Sequence, residues 1–215
     1  MSSIVLLQND PVVGECLRQA ISAEPGLQVT GLFGSLELAR QHLSRVGADV
    51  LVADLRIGQQ RLVELLRERR DGGSEVRPLV LVIAMSTDDP RLMQALRFGA
   101  DGYFIHGSPM KALPRAICQV LAGESPISPP IARRLQAHFK HPGGTARSVQ
   151  REAPPAPDLT DTERQMLNRV SQGYLLHEIA RELQTSERSV GLDTRSLYRK
   201  LQLNLRAGNL VRDAA

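Results

Sequence analysis

Cysteine is scarce in this chain, with two residues in 215. Cys16 and Cys118 both sit among apolar neighbours in segments of helical period, so the expectation is two buried thiols in a reducing compartment rather than a disulfide framework. Long apolar runs are missing too. No stretch approaches the roughly 18 residues of a membrane span, and the opening SSIVLLQND carries no basic leader, which points to the cytoplasm and away from membranes. Charge of one sign is in small excess only: 27 Lys and Arg against 23 Asp and Glu give +4, while a pI near 9.5 leans toward an anionic partner. Catalytic constellations are lacking as well. GLFGS at 31–35 follows the second strand and has no third glycine for a dinucleotide fingerprint. His138 and His141 have neither cysteines nor a second ligand pair beside them, and no local pattern suggests a Ser-His-Asp or Cys-His arrangement. An enzyme is not expected.

What is present alternates. An apolar fraction of 42% over this length supports one large core or two small ones. Runs of β character, IVLL (4–7), LQVTGLF (27–33), DVLVADL (49–55), PLVLVIAM (78–85) and GYFIH (102–106), are separated by stretches of helical period, among them PVVGECLRQAIS and DPRLMQALRFGA. Five strands alternating with five helices predict an α/β fold, a parallel doubly wound sheet over residues 1–124. The continuous Val, Leu and Ile of 50–53 and 79–83 fit strands buried on both faces. Such a sheet gathers its working residues at the carboxyl ends of its strands. There the first strand, SIVLLQNDPVV, closes in two amides and a carboxylate, an odd choice for a phosphate or metal site.

Residues 125–157 break the rhythm and read as an extension and a flexible basic linker, with HPGGTARSVQREAPPAPD rich in Pro, Gly and polar residues. Arg133, Arg134, Lys140, Arg147 and Arg151 against Glu152 concentrate a charge of +4 there. This is either a solvated spacer or an arm that touches phosphates. Residues 158–215 read as a small all-α domain. Thr160 with Glu163 forms a capping box, Gly173 can end the first helix, and a second short helix carries Ile179, Ala180 and Leu183. Ser186 is placed to cap a third helix through Leu201. The short QTS turn makes this a helix-turn-helix pattern. On the third helix Val190, Thr194, Leu197, Tyr198 and Leu201 would face inward, and Arg188, Gly191, Leu192, Arg195 and Arg199 outward.

Three groups of residues, DVLVADLRI, ALRFGADGYFIH and AGESPISPPIARRL in the first half, with LTDTERQML, EIARELQTSERSV and LYRKL in the second, resemble a response regulator of the NarL/FixJ type. The resemblance covers nearly the full length and implies a flavodoxin-like receiver followed by a four-helix LuxR-type helix-turn-helix domain. It implies a phosphoryl acceptor at Asp54. The acidic pair that holds Mg²⁺ in the family falls on Gln8 and Asn9, the Ser/Thr after the fourth strand on Ala84, and the lysine ending the fifth on His106. Four of five pocket positions have lost the family's residue. An amide offers a dipole where a hard cation wants charge, and phosphoryl transfer depends on neutralising the transferred group. Asp10 could substitute as ligand, although it lies one residue further along the strand. The pocket is thus expected to hold no magnesium, and Asp54 is either a retained acceptor or a solvated strand-end carboxylate.

In the DNA-reading half the resemblance puts a glycine and an aspartate, Gly191 and Asp193, where relatives commonly carry a lysine or other polar residue and often a histidine. Leu175 and Leu176 stand where the family prefers small capping residues. Nine basic against eight acidic residues over 158–215 leave +1. Arg188, Arg195, Arg199 and Lys200 can still reach phosphates or guanine edges, and Leu192 a thymine methyl. The expectation is a DNA-binding transcription regulator of a two-component type, a homodimer on paired half-sites, controlled without phosphorylation. Two alternatives stay open: an interaction module for a histidine kinase, another regulator or polymerase, and a regulator still phosphorylated at Asp54.

Overall fold

The computed structural model describes residues 1–57, 62–67, 78–140 and 158–210, with side chains as far as 204. It divides into two compact units, Met1–Pro126 and Ile127–Ala215. In the first, five parallel strands, β1 (Ser2–Leu7), β2 (Leu27–Phe33), β3 (Val50–Asp54), β4 (Leu79–Ala84) and β5 (Gly102–Ile105), run in the order β2-β1-β3-β4-β5. Helices α1 (Pro11–Ser22), α2 (Leu36–Val46), α3 (62–67) and α4 (Pro90–Phe98) occupy the crossovers, and α5 (Ala112–Leu121) follows β5. Every residue of β3 is buried, as its unbroken apolar run requires. Leu17 and Ile21 of α1 and Leu113, Ile117 and Val120 of α5 close over Ile4, Leu6, Val52 and Ile83. Close packing fixes β5 here: a Cβ on Gly102 would lie 2.8 Å from Val120 Cγ2. Cys16 and Cys118 correct their expectation, because both point outward from this layer and are exposed.

The strand order reverses between β1 and β3. That switch point sets the carboxyl ends of these two strands, Gln8 and Asp54, side by side, which is where open α/β sheets place their sites.

The second unit holds α6 (Pro129–Lys140), α7 (Asp161–Gln172), α8 (Leu176–Glu182) and α9 (Glu187–Leu210). The first part of the expected linker is therefore a helix. Ile131, Ala132 and Leu135 are buried on α6, and Arg133 donates from Nη1 to the Ser171 carbonyl at 2.8 Å, closing the last turn of α7. The rest of the connector, with Arg147, Arg151 and Glu152, lies outside the described residues. Thr160 and Glu163 form the expected capping box, and Gly173 takes the left-handed conformation after α7. Helix α9 continues to Leu210 rather than stopping near Leu201.

Candidate functional site: a self-filled receiver pocket and a recognition helix

At the switch point Asp54 is only 2% exposed, so it is not the solvated carboxylate that its position at a strand end suggested. Four donors meet its two oxygens. The Gln8 side-chain amide donates from Nε2 at 2.9 Å, the Arg56 backbone N–H at 2.8 Å, and the Arg56 guanidinium from Nη2 at 2.7 Å and Nε at 3.0 Å. Burial pushes the Asp54 carboxyl up, but the Arg56 and Gln8 hydrogen bonds outweigh it and hold the group below the ordinary carboxylate range. Gln8 is itself buried and is used at both ends, since its Oε1 accepts the Asp10 backbone N–H at 3.0 Å. Asp10 is spent elsewhere. Its Oδ1 accepts the Val12 and Val13 N–H groups as the N-cap of α1. Asn9 is exposed, Ala84 is buried at the end of β4, and the His106 N–H donates to the Ala84 carbonyl at 2.8 Å.

Arg56 was not a sequence candidate. The signal was an arginine two residues after a strand-end carboxylate, and the same spacing recurs at Asp89-Pro90-Arg91. There Asp89 caps α4 and takes a fork from Arg91, whose Nη2 lies 2.7 Å from Oδ2. Arg91 is close enough to be attracted by Asp54 and repelled by Arg56. The carboxyl ends of β1 and β3 are thus joined by the Gln8–Asp54 hydrogen bond, and the ends of β3 and β4 each carry an Asp–Arg ion pair of their own.

In the helical unit a second polar network ties α7 to α9. Glu163, 4% exposed, accepts from Lys200 Nζ at 2.6 Å, from Ser196 Oγ at 3.0 Å and from the Thr160 N–H at 2.7 Å. Lys200 also donates to the Asp158 carbonyl, so it serves packing rather than the outer surface. Two further expectations are corrected on α9: Gly191 is buried, and Arg195 is 8% exposed. The predicted inner face holds, with Val190, Thr194, Leu197, Tyr198 and Leu201 fully buried. Arg188, Leu192 and Arg199 remain outward, Leu192 at 44%. Burial, with the Glu163 charge added, pushes the Asp193 carboxyl up. Leu175 gives α8 no side-chain cap; Glu178 reaches back to its N–H at 2.8 Å instead.

Residues 157–211 match the family model described as bacterial regulatory proteins, luxR family. The match falls on the helix-turn-helix. Over almost the whole length the chain is 29% identical to the DNA-binding transcriptional activator DevR/DosR of Mycobacterium tuberculosis, covering 96% of this chain and 91% of that one. It is 26% identical to the nitrate/nitrite response regulator protein NarL of Escherichia coli K12, covering 95% and 91%. Over nearly its whole length the chain is thus similar to response regulators of the NarL/FixJ type, with a luxR-family helix-turn-helix at its C-terminal end. A structure of the Salmonella typhimurium RcsB response regulator shares the fold, with a TM-score of 0.55 and 19% identity over 94% of this chain and 93% of that one.

For a response regulator of this type the receiver pocket implies Mg²⁺, and the residues present do not fit it. The ion needs oxygen ligands and retained waters around one or two carboxylates. Here the neighbour of Asp54 on β1 presents an amide nitrogen, and a guanidinium covers the acid from the other side. Among the described residues no group of three His, Cys, Asp or Glu could hold a metal ion.

Proposed function

We propose that this response regulator is a DNA-binding transcription factor whose receiver works without phosphoryl transfer. The observation that carries the reading is the Gln8 amide nitrogen 2.9 Å from the buried Asp54 carboxylate, in the place of the family's metal-binding acid. DNA binding rests on the luxR-family match and on a continuous helix with Arg188, Leu192 and Arg199 outward. Arginine reads guanine edges and phosphate, and a leucine reads a thymine methyl. RcsB is described as two dimers bound to two parallel DNAs, and a homodimer on paired half-sites is the form proposed for this chain. It is not an enzyme in this reading and acts in the cytoplasm; among the described residues no helix is long and apolar enough to cross a membrane.

The test is selection of duplexes from a randomised pool by the full chain and by Asp54→Ala and Arg199→Ala variants. The reading expects one shared motif, bound equally by wild type and Asp54→Ala and more weakly by Arg199→Ala. Binding with a steep salt dependence and no motif identifies an interaction module. A motif bound only after treatment with a small phosphodonor identifies a phosphorylated regulator.

A further inference from the structure

We infer that Arg56 is a resident counter-ion that locks the receiver pocket in one state, a permanent guanidinium in the place of a removable metal and phosphoryl group. The inference rests on the reading above, that this receiver is not switched by phosphorylation, and adds the residue responsible and what it does.

An ionised carboxylate has about four lone-pair sites. On Asp54 each has a donor of this chain: Gln8 Nε2, Arg56 N, Arg56 Nε and Arg56 Nη2. No pair is left for a metal, or for attack on phosphorus, until the guanidinium leaves. Leaving is costly, because it strands a buried acid without its charge partner. The guanidinium is well placed to stay. It sits two residues away on the same turn, its planar fork matches the carboxylate, and the Arg56 backbone N–H holds the turn closed on the same oxygen that Nε meets.

The pair also holds neighbouring loops. From Asp54 the hydrogen bonds run through Gln8 to the Asp10 N–H, and Asp10 caps α1. Arg56 is drawn first by Asp54 and more weakly by Asp10. Across the mouth the Asp89–Arg91 fork fixes the start of α4, with Arg91 in the field of Asp54 and Arg56. A receiver that switches needs these connections to have two arrangements. Here one arrangement joins the α1 cap, Gln8, Asp54 and Arg56 in a single run of hydrogen bonds.

The test compares the full-length wild type with Arg56→Met, Arg56→Lys and Asp54→Asn by nuclear magnetic resonance and amide hydrogen exchange. The wild type should show a protected Arg56 Nε–H resonance that Asp54→Asn abolishes. In Arg56→Met the amides of Gln8, Asn9, Asp10, Val12 and Val13 should exchange about tenfold faster. Arg56→Lys keeps the charge but not the fork, and should fall between. A mere packing role for the Arg56 stem would leave Arg56→Met close to wild type and the Nε–H unprotected, and that result overturns the counter-ion alone. Protection as expected, but with DNA affinity of the wild type rising on treatment with acetyl phosphate, overturns the phosphorylation-free reading and the single state with it.

Discussion

At Asp54 a strand-end carboxylate is part of the packing, buried and held by Gln8 and Arg56. Replacing it by alanine leaves the Gln8 amide buried without its acceptor, while the half-exposed Arg56 can turn to water. Asp54→Ala should therefore lose about 2 kcal/mol of unfolding free energy in urea titrations, with DNA affinity retained by the molecules that fold. Glu163 makes the second residue-scale case. Burial pushes its carboxyl up, but Lys200, Thr160 and Ser196 outweigh that and hold it below the ordinary value. A group with a lowered folded pKa stabilises fully above the unfolded pKa, and the contribution is lost as pH falls through the folded one. Glu163→Gln should thus flatten the acid side of the stability profile, below the ordinary glutamate pKa near 4.3. At pH 7 it should cost about 2 kcal/mol by leaving the Lys200 ammonium, in a mostly buried place, with the Asp158 carbonyl but no opposite charge.

Elements carry their own consequences. Helix α8 starts on Leu175, which is 58% exposed and offers no cap. Leu175→Ser should raise stability by about 1 kcal/mol, read as a shift in the urea midpoint at constant slope. On α9, Asp193 is pushed up by burial and by Glu163. Asp193→Asn should stabilise the helical unit at neutral pH by a few tenths of a kcal/mol, about 0.5, and tighten DNA binding by removing an anion near phosphate. Arg188→Ala and Arg199→Ala should each lower the slope of log K against log salt by about one if the residue meets a phosphate. The elements were legible because period, cap and glycine agree: Thr160, Glu163 and Gly173 bound α7 as the sequence implies. Among the features that escaped, two have a plain cause. Pro129 and Pro130 open α6, where a proline at the first turn is tolerated, so a segment that reads as a connector is helical. Period alone also placed Arg195 outward, and which side of a helix its neighbours cover is a tertiary fact.

For the whole molecule, strict alternation implies the parallel doubly wound sheet, and the family resemblance places Gln8 and Asp54 in one pocket, so the location of the pocket could be read in advance. Its contents could not. Losses at Gln8, Asn9, Ala84 and His106 are visible as residue types, whereas the gain at Arg56 depends on a turn that folds a side chain back two residues. A signal that does not enter through Asp54 leaves dimer concentration or another ligand as the control in the proposed function. The central claim is that the pocket cannot accept a phosphoryl group, and intact mass spectrometry of the full chain after incubation with acetyl phosphate and excess Mg²⁺ tests it most directly. The account predicts one unmodified mass and a DNA affinity unchanged by the treatment. A near-stoichiometric gain of one phosphoryl group, dependent on Mg²⁺ and abolished by Asp54→Ala, would contradict it.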